Sequence, residues 1–363
     1  MTLWKLALRE SESCATEYVA DLDPQSQPAF AFEDVERAAT RLGTRVLRTP
    51  VMRVEALDAV VGSRLLLKAE SLQRSGSFKY RGALNAVLAG LERGDRRSVV
   101  AVAGNHAFAV ALAAREVGLK ATAVMPDDGT ALKLAAVRGA GADVVASGVS
   151  QAARAKVLAS LDEREMRVIE ADDPDVMSGH GTQALELLDQ LNGDLPEALF
   201  VPIGRGGLIA GVATVLKRLA PHVMIIGAEP AVADDAYQSL KTGRLVTLPT
   251  SPGTVADGLR ATHLGYRAWP VVARFVDRIV TVSEQDIAIA MWLLWTRAKL
   301  LVEPSGAVGL AALLVERARG TVPRSGAGVV CLITGSNADP VELALLLNDA
   351  RSMDLARLWP TVL

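Results

Sequence analysis

Ala198-Leu199-Phe200-Val201-Pro202-Ile203-Gly204-Arg205-Gly206-Gly207-Leu208-Ile209-Ala210-Gly211 reads as a short apolar strand, a glycine-rich turn and the opening of a helix. Apolar residues without polar alternation suit a strand buried on both faces, and such strands belong to parallel sheets covered by helices. The same unit recurs along the chain. Besides 198–202, strands are expected at 64–68, 98–103, 121–125, 142–146, 167–170, 223–228, 278–282 and 328–333. Between them lie amphipathic stretches. In 79–93, Ala83, Leu84, Val87, Leu88 and Leu91 share one helical face, and 283–298 opens on the capping-box pattern Ser283-Glu284-Gln285-Asp286.

Nine strands are many for one sheet, and 98–174 holds a complete strand–helix series of its own. The expected fold class is α/β, with two domains of twisted, mostly parallel sheets flanked by helices. Residues 31–97 and 175–350 are expected to form the large domain, and 98–174 a small one inserted in it. Residues 1–30, with Ser11-Glu12-Ser13, Pro24 and Pro28 and little period, read as a surface-draped arm, and 351–363 as a C-terminal tail.

Composition narrows the class. Half of the 363 residues are hydrophobic and 22% are charged, enough for a sizeable core and against a disordered chain. A net charge of −2, from 39 basic and 41 acidic residues, offers no surface for a polyphosphate backbone, so nucleic acid is not an expected partner. Cys14 and Cys331 form neither a disulfide framework nor a CxxC site, and His106, His180, His222 and His263 lack zinc-ligand spacing. No apolar run approaches the roughly 18 residues of a membrane span, and Leu3 to Leu8 is too short and interrupted for a signal peptide. The expectation is a cytoplasmic protein that does not engage membranes.

Four turns place special residues where a strand meets a helix, the position at which ligands collect in open α/β sheets. In Ser75-Gly76-Ser77-Phe78-Lys79-Tyr80-Arg81-Gly82, a lysine in the first helical turn meets the positive end of the dipole, which favours its neutral, Schiff-base-competent form. A solvated lysine at a helix start is an equal reading of that segment. In Val102-Ala103-Gly104-Asn105-His106-Ala107, Asn105 can donate to an oxygen beside free N–H groups, or simply cap the helix. The turn Gly204-Arg205-Gly206-Gly207 presents N–H groups to a phosphate with a helix dipole behind them; it is neither GxGxxG nor a Walker loop. Thr334-Gly335-Ser336-Asn337 carries a hydroxyl for a heteroaromatic nitrogen, or an N-cap. Reactive lysine, phosphate cradle, amide and hydroxyl together describe a pyridoxal 5′-phosphate site.

With these residues in view, the chain resembles the fold type II pyridoxal-phosphate enzymes, specifically the threonine/serine dehydratase and serine racemase family. The likeness spans roughly residues 32–350 and implies a tryptophan-synthase-β-like fold. Glu70-Ser71-Leu72-Gln73-Arg74-Ser75-Gly76-Ser77-Phe78-Lys79 is similar to the family's cofactor-lysine motif, which implies that Lys79 anchors the cofactor and acts as catalytic base. The resemblance further implies Phe78 against the cofactor ring, Asn105 on its phenolic oxygen, and Gly204, Arg205, Gly206, Gly207 and Leu208 at its phosphate. It also implies Glu303 beside the cofactor, Thr334 at the pyridine nitrogen, and Ser77, Gly104, His106 and His180 on the substrate side. Glu229-Pro230-Ala231-Val232-Ala233-Asp234-Asp235 is similar to a divalent-cation loop, with the carboxylates of Glu229 and Asp235 and the carbonyl of Ala233 as ligands for Mg²⁺ or Ca²⁺. Read without the resemblance, that loop is a solvated acidic turn.

Several positions depart from the family pattern. Ala103 stands where racemases carry the serine that acts as opposite-face acid and base; Val102 replaces a serine that helps hold the substrate carboxylate; His180 replaces a glutamine; and Arg205 interrupts an otherwise all-glycine loop. Arg205 is expected either to touch the cofactor phosphate or to point outward into solvent. A C-terminal regulatory domain like that of biosynthetic threonine dehydratases is not expected. The expected activity is therefore dehydration and deamination of a small β-hydroxy amino acid by a homodimeric enzyme, with racemisation or β-replacement as alternatives.

Overall fold

The computed structural model describes residues 17–18, 26–102, 104–127, 131–146, 148, 151–322 and 326–352; Ala103, Cys14 and the tail beyond 352 lie outside the described residues. Twelve strands occur among them: β1 Glu17–Tyr18, β2 Val51–Arg53, β3 Leu65–Ala69, β4 Ser98–Val102, β5 Ala121–Met125, β6 Asp143–Ala146, β7 Met166–Val168, β8 Ala198–Pro202, β9 Met224–Pro230, β10 Val246–Thr247, β11 Arg278–Val282 and β12 Val329–Ile333. A six-stranded sheet has the order β11-β9-β8-β12-β3-β2, parallel except for the β2–β3 pair at its edge. A four-stranded parallel sheet, β6-β5-β4-β7, draws only on residues 98–168.

Both faces of the large sheet are covered, as the apolar runs predict. In β12, Val329, Cys331 and Ile333 enter one core with Leu65, Leu67, Phe200 and Ile226. Val330 and Leu332 turn the other way, joining Leu66, Leu199, Val201 and Ile225. Period-2 alternation thus divides the residues of each strand between two cores that are equally apolar. A third core fills the space between the small sheet and its helices, with Val99, Ala101, Ala109, Ala113, Ala123 and Met125.

The predicted strands match in place, with ends shifted by one or two residues. The additions β1, β2 and β10 are two or three residues long and antiparallel, too short for a period to show. Within the first thirty residues, Glu17 and Tyr18 pair with Thr247 and Val246. The stretch 283–298 divides: Ser283 caps the helix Glu284–Leu293, with Asp286 completing the capping box, and Leu294–Ala298 continues as a π-helical turn.

Candidate active site

β8, β12 and β3 are consecutive neighbours and run parallel, so the turns leaving their C-terminal ends lie side by side. Those are the turns bearing Gly204–Gly207, Thr334 and Lys79. Backbone pairing ties two of them together: the N–H of Phe78 donates to the carbonyl of Thr334 (3.1 Å), and Ser77 forms a bridge with Gly335. The turn after β4, an inner strand of the other sheet, brings in Asn105 and His106. Their pocket is lined by Phe78, Lys79, Asn105, His106, His180, the 204–208 loop, Glu303 and Thr334.

Lys79 is the first residue of the helix Lys79–Glu92. Its Nζ lies 4.6 Å from the centre of the Phe78 ring. Burial pushes its amine below the usual lysine range, and the charges of Glu303 and Asp257 only partly oppose that. Desolvation therefore does the work that sequence reading assigned to the helix dipole. Two histidines beside it are held neutral. Burial, then the Lys79 charge, lowers His106 to about 4, and its Nε2 bonds the carbonyl of Ile169 (2.8 Å). His180 is buried and pushed well below its ordinary value by desolvation and by Lys79. Its ring packs edge-on against Phe78 with centroids 4.7 Å apart, and its Nδ1 is buried with no hydrogen-bond partner. A Cβ at Gly82 would fall 2.4 Å from His180 Cε1, so the missing side chain there makes room for the imidazole.

Gly206 adopts φ 83°, in the left-handed region, and caps the helix Gly207–Leu219. The first N–H groups of such a helix have no partner within it. A Cβ at Gly207 would lie 2.2 Å from the carbonyl oxygen of Ala171, and one at Gly206 would lie 2.9 Å from Leu264 Cδ2. The loop is therefore glycine by packing as well as by dihedral. Arg205 is partly exposed and paired: its guanidinium donates to His263 Nε2 (3.3 Å) and faces the buried Asp172 carboxylate (3.8 Å). His263 Nδ1 donates to the Leu264 carbonyl, which fixes the tautomer that accepts from Arg205.

Glu303 caps the helix Pro304–Arg319 and is buried. Its Oε1 accepts from Asn105 Nδ2 (2.6 Å), whereas Oε2 is buried without a partner; burial and the nearby Asp257 raise its affinity for a proton. Asn105 Oδ1 in turn accepts from Asn337 (2.9 Å). The Thr334 hydroxyl is buried and makes one long bond, 3.5 Å, to the Ser305 carbonyl, which leaves it able to turn toward a ring nitrogen. Ser77 is buried beneath the lysine turn with Ser75, and Gly104 opens its helix at φ 40°. Unpaired helix N–H groups, a desolvated amine and a buried hydroxyl fit the phosphate, aldehyde and pyridine nitrogen of pyridoxal phosphate.

Sequence reading missed Gly258 and Leu259 of the pocket wall and the slot at Gly82. Gly258 and Leu259 stand in a single 3₁₀ turn with no strand–turn–helix signature. Gly82 was in view only as part of the lysine motif.

Glu229, Ala233 and Asp235 are all buried, so the loop is not the solvated turn that its letters alone suggest. Glu229 accepts from the N–H groups of Tyr237 (2.6 Å) and Ala236 (3.3 Å), and Asp235 Oδ2 is buried without a partner. Burial raises both carboxyls, Asp235 to about 8, and Glu229 is pushed further by Asp235. Two dry carboxyls and an orphaned oxygen suit a hard cation. Among the described residues no three His, Cys, Asp or Glu side chains gather as a metal centre, so backbone or water oxygens must supply the remaining ligands.

Residues 43–335 match the family described as pyridoxal-phosphate dependent enzyme. The chain is 41% identical to an L-threo-3-hydroxyaspartate ammonia-lyase from Pseudomonas sp., over 87% of this chain and 98% of that protein. It is 37% identical to serine racemase from Bos taurus, over 87% of this chain and 96% of that protein. The crystal structure of the T.th. threonine deaminase superimposes with a TM-score of 0.79 at 44% identity, covering 85% of this chain and 99% of that one.

Proposed function

Because the chain belongs to the pyridoxal-phosphate dependent enzymes, in the family of threonine and serine dehydratases and serine racemases, we propose that it dehydrates and deaminates a small β-hydroxy amino acid. L-Threonine, L-serine and 3-hydroxyaspartate are the candidate substrates; the products are a 2-oxo acid and ammonia. The observation that carries this reading is a desolvated Lys79, its amine pushed below the usual lysine range, in one pocket with the glycine loop. Bound pyridoxal phosphate supplies an electron sink for the substrate's α-carbon. Lys79 Nζ is the base that takes the α-proton. Gly206, Gly207 and Leu208 would offer N–H groups to the phosphate, Asn105 would present its amide to the phenolic oxygen, and Thr334 would supply a neutral hydroxyl for the ring nitrogen. Hydroxide leaves the β-carbon as water, and a second water later releases ammonia, so no net water is consumed. The reading gives the buried Glu229, Ala233 and Asp235 a structural Mg²⁺ or Ca²⁺ away from substrate.

Elimination is favoured over racemisation by the identity of residue 103, an alanine with no proton to offer where the resemblance implies a serine in racemases. The test incubates the cofactor-loaded protein with L-serine, L-threonine, 3-hydroxyaspartate and 2,3-diaminopropionate, and measures 2-oxo acid, ammonia and D-isomer separately. Equal amounts of oxo acid and ammonia, well above any D-isomer, are expected, with the borohydride-reduced adduct mapping to Lys79. Ala103→Ser is expected to raise D-isomer formation. Wild-type racemisation of serine as fast as its deamination, or an adduct on another lysine, overturns the reading.

A further inference from the structure

Beneath the lysine turn lie four charged side chains that the proposed chemistry does not use. Lys68, Glu70 and Arg81 are at most 1% exposed, and Glu186 is nearly buried. Arg81 Nε donates to Glu70 Oε2 and Arg81 Nη2 to Glu70 Oε1, both at 2.8 Å, a two-pronged pair. Arg81 Nη2 also reaches both Glu186 oxygens (3.1 and 3.0 Å) and the Leu47 carbonyl (3.1 Å). The Lys68 ammonium donates to Glu186, Gln190 and the Thr49 carbonyl. Burial pushes the Glu70 carboxyl up, but the Arg81 guanidinium overrides it and holds Glu70 ionised.

The placement of this network argues for a role beyond cohesion. Glu70 directly follows β3, and Arg81 sits in the first turn of the helix that Lys79 opens, so the pair joins the two ends of the connecting loop. The loop's middle is held as well: Gln73 exchanges two bonds with Leu47, both 2.9 Å, and Asn337 donates to the Ser75 carbonyl. Buried ion pairs are commonly matched or bettered in stability by apolar residues of similar size, so stability alone does not account for this one. What a bidentate fork adds is direction. We propose that Glu70 and Arg81 are positioning residues that hold Lys79 in register with the pocket. The inference rests on the reading of Lys79 as the reactive amine.

The test uses the full chain loaded with pyridoxal phosphate. Arg81→Lys keeps the charge but loses the fork, and Glu70→Gln keeps the shape but loses the charge. Each is expected to lower kcat by roughly 10²-fold, the cost of about an ångström of misplacement. KM for the amino acid should change little, and the pH midpoint of the bound chromophore's absorbance should shift. Lys68→Met, in the same network but with its hydrogen bonds going to Thr49, Glu186 and Gln190 and none to the Lys79 helix, should lower the melting temperature and leave kcat and that midpoint at wild-type values. If the stronger variants do not fold, Glu70→Asp withdraws the carboxylate by one methylene, with the same outcomes expected. Variants of Glu70 or Arg81 that lose only melting temperature overturn the inference. A wild-type protein with no adduct on Lys79 overturns the parent reading instead.

Discussion

His106 shows how far single side chains around Lys79 are displaced from their behaviour in water. An imidazole near 6.5 when unfolded and about 4 when folded favours the neutral ring in the native state. Its contribution to stability is therefore complete above pH ~6.5 and is lost as pH falls through 4, a linkage of about 3 kcal/mol. Urea denaturation across pH 4–7 should show this loss, and His106→Asn should reduce it; superimposable pH curves for the two proteins would refute the assignment. Gly82 is constrained differently. An added methyl would meet His180 Cε1 at 2.4 Å and the Val176 carbonyl at 2.6 Å. Gly82→Ala should cost about 1–3 kcal/mol by chemical denaturation, as overpacking does. Unchanged stability would mean that the His180 ring moves aside freely.

The glycine loop shows how a helix terminus leaves N–H groups open to a ligand. Its N–H groups are available because the helix Gly207–Leu219 starts there, and the chain can reach that start only through the left-handed Gly206. Gly207→Ala would drive a Cβ into the Ala171 carbonyl and displace the helix start. Losing one charge-assisted bond to phosphate is worth about 1.5–3 kcal/mol, roughly 10–100-fold in Kd. Equilibrium dialysis of pyridoxal phosphate against this variant should show that loss, and wild-type affinity would place the phosphate elsewhere. This element was legible because strand, glycines and helix are contiguous in the chain. The wall at Gly258 was not, because a lone turn acquires its role from whatever packs opposite it.

Across the molecule, the buried Glu229 and Asp235 carboxyls link folding to pH and, on the proposed function, to cations. Asp235 titrates near 3.8 when unfolded and about 8 when folded, and the Glu229 carboxyl is raised as well. Groups raised in this way stabilise the fold below the unfolded value, and that contribution is lost as pH rises through the folded one. Cation-free protein should accordingly lose melting temperature between pH ~4 and 8 on account of this pair. Mg²⁺ or Ca²⁺ binds the ionised carboxylates, so the rise in melting temperature it produces should be larger at pH 8 than at pH 6, and Asp235→Ala should abolish it. Equal melting temperatures with chelator and with cation at pH 8 would leave the loop as a buried acidic turn. Contacts between the parts built on the two sheets, such as Lys133 with Asp257 and Asn105 with Glu303, join residues more than a hundred positions apart.

Local chemistry could be read directly from the residues. Apolar runs dictated strands covered on both faces, glycines before a helix dictated a left-handed turn into a helix start, and Ser283 with Asp286 dictated another, because each depends on neighbours within a few positions. Likeness to a motif singled out Lys79 among the lysines. Assembly of the chain decided what depends on burial and on distant partners. Lys79 is held below the usual lysine range because the fold removes its water, and the Glu229 and Asp235 carboxyls are dry because the surrounding elements close over them. Arg205 faces Asp172 and His263, and Glu70 meets Arg81 across the lysine loop. Desolvation and long-range pairing are set by which surfaces meet in three dimensions, and no spacing along the chain encodes them.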